Sequence, residues 1–215
     1  MLAHSTAMES AHVAVVLAAG GSARLGTPKQ LLRRNGETLL HRTVRVAAAT
    51  QPLRVIVVMG ANHDAFAAEL AELPHIRVVN ENWRTGLAGS LRIAAPYVPI
   101  DHAAVIVACD QPALGEHHLR ALLAGAHAAS SGSAATVIGD GLGIPAVVPG
   151  AWFKDLDAHG DHGFRDRLRR LPTDAVFKLD AQELGRDVDT PDDLRDAIAV
   201  GLLDALADES FAPGS

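Results

Sequence analysis

The stretch VAVVLAAGGSARLGTPKQLL, Val13 to Leu32, passes from an apolar run to a glycine pair and then to two cations. Val13 to Leu17 has the make-up of a buried strand and is too short for an ordinary helix. Gly20 and Gly21 follow, and without a Cβ their backbone N–H groups can turn toward a ligand. A concavity of such donors, flanked by the fixed charges of Arg24 and Lys29, suits an anion. The dinucleotide fingerprint G-x-G-x-x-G is absent. Gly21 and Gly26 satisfy half of a Walker A loop, but Thr27 and Pro28 stand where Lys and Ser/Thr are required. An ordinary strand-to-helix turn with solvated Arg24 and Lys29 fits the composition equally well.

Beyond the loop, apolar runs alternate with helical periodicities. Asn35-Gly36 signals a turn, and Thr38 can cap a helix over LLHRTVRVAAA. Strands are expected at residues 54–59, 76–79 and 103–108. Between them, Asn62 can cap a helix over residues 65–73, and a further helix is expected over 90–95. Residues 116–128 read as helix, and 134–138 and 145–148 as paired strands around a turn at 139–143. A helical turn at 152–156, a basic helix at 163–171, a strand at 175–179 and a last helix from Asp192 to Leu206 complete the chain. Thr190 and Pro191 form a good start for that helix. This rhythm predicts an α/β fold, a mostly parallel sheet with helices on both faces.

The 215 residues suggest one domain over 13–206, with a flexible leader at 1–12 and a flexible acidic tail at 207–215. A hydrophobic fraction of 48% with 4% aromatic residues predicts an aliphatic core. The formal charge of −6 argues against a nucleic-acid partner. It leaves room for a small positive pocket that holds one triphosphate. With Cys109 the sole cysteine, an intrachain disulfide is excluded. No apolar run approaches the ~18 residues of a membrane span, and the first residues lack a signal-peptide pattern. A cytoplasmic protein is expected.

Acidic residues after the strands are the candidates for chemistry. Asp110 follows the strand at 103–108, where ligands of open parallel sheets bind. Magnesium favours one or two carboxylates together with phosphates and water, so Asp110 facing the glycine loop would suit it. A helix-capping role is the plainer alternative. Asp189, in the run Asp187-Val188-Asp189-Thr190-Pro191, reads equally as a helix-start residue. Gly86 and Ser90 sit in a glycine-containing connection ending in a helix cap. His159 and His162 have a spacing open to zinc, but Gly160 and the lack of a third ligand favour a solvated turn. Cys109 ends a buried strand with no histidine placed to activate it.

The run from Leu17 to Leu32 resembles the signature loop of nucleotidyltransferases of the molybdenum-cofactor cytidylyltransferase type, relatives of the molybdopterin guanylyltransferases. Cys109-Asp110-Gln111-Pro112 resembles the same family's D-Q-P segment, and Asp187 to Leu194 its D-x-D-T-P-x-D motif. The resemblance implies the Rossmann-like three-layer nucleotidyltransferase fold. It implies that the backbone at Leu17, Ala18 and Ala19 meets the base. Gly20, Gly21, Ser22, Arg24 and Lys29 would hold the phosphates, with Arg24, Lys29 and Asp110 the catalytic groups. Magnesium would sit on Asp110 and Asp189, with Asp187 an orienting or solvated neighbour. Asn62, Gly86 and Ser90 match positions near the base or ribose. Two positions depart from the pattern: Ile144 stands for the histidine of Gly-His-Pro, and Phe164 for the alanine of G-D-x-G-A-R.

The implied activity is magnesium-dependent transfer of CMP from CTP to the phosphate of a molybdopterin-type cofactor, with release of pyrophosphate. The L-A-A-G form of the loop favours cytosine over guanine. A molybdoenzyme or its maturation chaperone would be the downstream partner. The alternatives are a transferase using GTP or another acceptor, and a non-catalytic chaperone that hands on the cofactor. The second alternative should lack a loop cation or a carboxylate, whereas Arg24, Lys29, Asp110 and Asp189 are all present.

Overall fold

The computed structural model describes residues 11–61, 63–156 and 163–206. The strands are β1 (His12–Ala18), β2 (Arg33–Arg34), β3 (Glu37–Thr38), β4 (Val55–Met59), β5 (Ile76–Val79), β6 (Ala103–Ala108), β7 (Ser133–Ile138), β8 (Gly141–Pro149) and β9 (Val176–Asp180). β2 and β3 pair as a small ribbon, and the others form a seven-stranded sheet in the order β5-β4-β1-β6-β8-β7-β9. Pairings are parallel except those of β8, which runs against both β6 and β7.

β1 and β4 are buried along their whole length, as strands covered on both faces must be. Their side chains alternate between two cores. Ala14, Val16 and Ala18 join Val55, Val57 and Met59 under α1 (Leu39–Ala49), α2 (His63–Ala67) and α4 (Glu116–Ala128). Val13, Val15 and Leu17 join Ile56 and Val58 under α3 (Leu87–Ala94) and α5 (Arg165–Arg170), with Trp152 and Phe153. The result is the mostly parallel three-layer Rossmann-like sandwich expected from the sequence.

A third, smaller cluster ties Leu25 and Leu32 of the glycine-loop segment to Val188 and to Leu194 and Ala197 of α6 (Pro191–Ala199). Burial of these apolar side chains is what draws α6 onto the glycine-loop segment.

Several boundaries differ from expectation. α3 begins at Leu87, with Gly86 at its N-cap in a left-handed backbone (φ 84°), so Ser90 lies inside the helix and does not cap it. β8 begins at Gly141, which narrows the turn before it to Gly139 and Asp140. α2 is short and continues as a 3-10 turn to Leu70. α6 stops at Ala199, well before Leu206. Gly201 takes φ +69°, its N–H donates to the Ile198 carbonyl at 3.0 Å, and Leu202 N–H donates to Ala197 at 2.8 Å. That double bond around a left-handed glycine terminates helices. The chain then turns back, and Asp204 accepts from the backbone N–H groups of Asn35 and Gly36 at 2.8 and 2.7 Å. His12, assigned to the leader, instead opens β1 and reaches Thr50 Oγ1 from Nε2 at 2.9 Å. Residues 1–10 and 207–215, Asn62 and the pair His159 and His162 lie outside the described residues.

Candidate active site

The glycine loop leaves the carboxyl end of β1 and is closed by its own polar groups. Ser22 holds a left-handed φ of 49°. Its carbonyl accepts from Leu25 and Gly26 N–H, both at 3.1 Å, and its hydroxyl accepts from Lys29 N–H at 3.0 Å. The Gln30 side-chain amide, 1% exposed, donates to the carbonyls of Ala18 and Gly20 at 2.9 and 2.8 Å. A buried amide that donates to both carbonyls fixes the path of the loop's entry. Gly21 is required for a different reason. A Cβ there would lie 2.3 Å from the Trp83 indole, and one on Gly60 would lie 2.4 Å from the Ala19 carbonyl.

The charged candidates converge. Lys29 Nζ donates to Asp110 Oδ2 at 2.6 Å and to Asp189 Oδ1 at 2.9 Å. Arg24 Nη2 donates to the other oxygen of Asp189 at 2.7 Å. Asp110 arrives there because β6 pairs with β1 in register, Leu17 against Ala108, and Cys109 N–H donates to the Leu17 carbonyl at 3.2 Å. Asp189 arrives by the third apolar cluster and by the cap of α6. Asp193 Oδ2 accepts from the N–H groups of Asp189 and Thr190 at 3.1 and 2.8 Å.

The ion pairs set the proton affinities. Burial works to lower that of the Lys29 ammonium, but facing Asp110 and then Asp189 outweigh it and raise the pKa above the ordinary lysine range. The hydrogen bond from Lys29 holds Asp189 below the usual carboxylate range. Asp187 stands at the rim of the same cleft. Loss of water around the carboxyl in the cleft wall, and next the Asp110 charge, push it up to about 7. Burial pushes the Cys109 thiol up to about 12, in line with the sequence argument against a nucleophile there.

A cleft of about 530 Å³ opens beside this cluster. Leu17, Ala19, Gly20, Gly86 and Ser90 line one part of it, together with Trp83. Ala18 faces away: it is 1% exposed in the core, and its carbonyl is taken by Gln30. The Ser90 hydroxyl accepts from Asn80 Nδ2 at 3.2 Å. The opposite wall is aliphatic, with Ile106, Ile138, Leu142, Ile144 and Leu168 beside Phe164. Gln111 ties the segment after β6 to β8 and to the turn at Gln182–Gly185 by donating from Nε2 to the carbonyls of Ile144 and Leu184, both at 2.9 Å. Trp83, Gln30 and Gln111 were not singled out in the sequence. A glutamine set within an apolar run, as in Lys29-Gln30-Leu31-Leu32, was the one available signal for Gln30.

No group of three or more His, Cys, Asp or Glu residues suited to a metal occurs among the described residues. Asp110 Oδ2 and Asp189 Oδ1 both face the Lys29 ammonium, which occupies the space between them. That donor set fits a hard divalent cation completed by phosphate and water oxygens.

A parallel sheet with a glycine loop, paired cations and carboxylates at its strand ends places the chain among α/β proteins that work at the carboxyl edge of the sheet. Residues 14–176 match the MobA-like NTP transferase domain, and the chain belongs to that family. It is therefore an enzyme of the nucleotidyltransferase class. A nicotine blue oxidoreductase from Paenarthrobacter nicotinovorans is 30% identical over 189 residues, 82% of this chain and 91% of the relative. A probable molybdenum cofactor guanylyltransferase from Synechococcus elongatus is 36% identical over 111 residues, 50% of this chain and 55% of the relative. The crystal structure of a Mycobacterium tuberculosis rv0371c homolog from Mycobacterium sp. strain JC1 superposes with TM-score 0.73 at 31% identity, covering 89% of this chain and 96% of that one. Rv0371c in complex with manganese gives TM-score 0.71 at 29% identity, covering 88% and 99%. Among the described residues no helix is long and apolar enough to cross a membrane.

Proposed function

We propose that this enzyme transfers CMP from CTP to the phosphate of a molybdopterin-type cofactor and releases pyrophosphate. The observation that carries the reading is the convergence of Arg24, Lys29, Asp110 and Asp189 at the mouth of the glycine loop. The L-A-A-G form of the loop favours CTP over GTP. The cofactor as acceptor draws on the loop resemblance and on the guanylyltransferase relative.

Transfer of this kind needs in-line positioning and charge neutralisation more than a protein nucleophile. The acceptor phosphate is already ionised near neutral pH, so no general base is required. Asp110 and Asp189 would hold magnesium, a choice supported by two carboxylates brought to one place and by the manganese complex of a relative. When bound, the ion neutralises charge that builds on the phosphate oxygens. Arg24 and Lys29 hold the β- and γ-phosphates and stabilise the departing pyrophosphate. The backbone at Leu17 and Ala19, with Gly86 and Ser90, holds the base and ribose.

The test is incubation with labelled CTP or GTP, magnesium and molybdopterin, followed by product identification. A cytidine dinucleotide product is expected, and Asp110→Ala abolishes it with the fold intact. A variant that keeps near wild-type turnover at saturating magnesium would refute the metal assignment.

One observation favours a second reading. The nicotine blue oxidoreductase matches across most of both chains, and oxidation–reduction is the activity its name gives. A reductase would consume an electron donor and retain turnover in Asp110→Ala.

A further inference from the structure

The aliphatic wall of the cleft ends at two guanidinium groups that the transfer chemistry does not use. Arg165 and Arg169 lie one turn apart on α5, and both are exposed. Each sends an Nη toward the same spot: a Cβ placed on Gly141 would lie 3.3 Å from that of Arg165 and 3.5 Å from that of Arg169. Glycine at this point of β8 leaves room for both. Arg165 is oriented by donating from Nε to the Leu142 carbonyl at 2.9 Å, and its outer edge has no partner among the described residues. Neither arginine forms an ion pair with a carboxylate of the described residues, although Arg167, between them, pairs with Asp155 at 3.6 Å.

Two adjacent cations that no carboxylate of the described residues neutralises form a local positive spot on a chain whose net charge is −6. Their placement follows the cleft. Arg165 lines it together with Lys29 and Asp110, while Arg169 lines an adjoining groove of about 270 Å³ that shares Leu142 and Leu168 with the cleft. Lys178 adds a third cation to that groove, and Asp140 is its one acidic residue among the described residues. A planar guanidinium binds oxyanions through paired N–H donors.

We propose that Arg165 and Arg169 form an oxyanion subsite at the outer end of the cleft, which receives a second negatively charged group of the acceptor, remote from its reacting phosphate. The assignment of that anion to the acceptor rests on the transfer reading above. The acceptor is then a molecule with two anionic ends and a body that lies along the aliphatic wall.

Sulfate is the probe. The full-length protein, labelled with 15N, is saturated with magnesium and a non-transferable CTP analogue, so that the phosphate loop is filled. Sulfate is then titrated while the arginine Nε resonances are followed. Saturable shifts of the Arg165 and Arg169 signals are expected. Arg169→Gln, which breaks no hydrogen bond to a described residue, should weaken the sulfate affinity by roughly tenfold, and Arg169→Lys should retain part of it. Arg165→Gln should do the same as Arg169→Gln. An unsaturable response in the wild type, or equal affinity in wild type and Arg169→Gln, overturns the subsite. Sulfate binding at the arginines in a protein that fails to bind the CTP analogue would leave the subsite standing and overturn the transfer reading instead.

Discussion

Lys29 is the residue on which the site turns. Its ammonium bridges Asp110 and Asp189, so three charged groups hold one another in place before any ligand arrives. Lys29→Ala should weaken CTP binding more than CMP binding, measured by calorimetry, and equal losses would argue against its role on the terminal phosphates. Asp187 offers an independent check through pH. Its carboxyl rises from an ordinary 3.8 to about 7 in the folded protein. Between those values the folded state binds more protons than the unfolded chain, so the stability contributed by this group declines as pH rises through the window. Asp187→Asn removes the decline. In the presence of a chelator, variant and wild type should melt alike near about pH 4, and the variant should melt higher at about pH 8. A gap that instead widens toward acid would refute the assignment.

At the scale of elements, the start of α6 positions a functional residue. Thr190 and Asp193 cap the helix reciprocally: Thr190 Oγ1 accepts from Asp193 N–H at 3.2 Å and donates to Asp193 Oδ2 at 2.8 Å. The same carboxylate takes the N–H of Asp189 at 3.1 Å, so the cap also fixes the backbone of the residue that pairs with Lys29. Thr190→Ala should cost about 1 kcal/mol in urea unfolding and should slow turnover as well. A stability loss with unchanged turnover would show that Asp189 is placed by the apolar cluster alone. The cap itself was legible in Thr190-Pro191, because capping chemistry is local. The end of α6 was not, because apolar residues continue past Gly201 and only the left-handed glycine decides where the helix stops.

The whole molecule brings together groups that lie far apart in the chain. Lys29 meets Asp110 because the sheet order places β1 beside β6, and it meets Asp189 because α6 packs back on the glycine-loop segment. A ligand that bridges these segments stabilises the fold by mass action. CTP with magnesium at about a hundred times its dissociation constant should add about 2.7 kcal/mol, read as a rise in melting temperature. GTP, ATP and UTP should give smaller shifts at the same concentration. The absence of a shift with all four would undermine the transfer reading.

The sequence by itself determined the α/β class, the positions of the strands and the glycine loop, because hydrophobic period and turn chemistry act over a few residues. It also put Arg24, Lys29, Asp110 and Asp189 in view as separate charges at segment ends. Tertiary structure alone decided that they share one point in space, since that depends on strand order and on the burial of Leu25, Leu32 and Val188 with α6. It decided as well that Gln30 and Gln111 are internal ties and not surface amides, and that Trp83 packs on Gly21. An amide, an indole or a leucine carries no mark of its partner in the sequence; contact between distant segments supplies it.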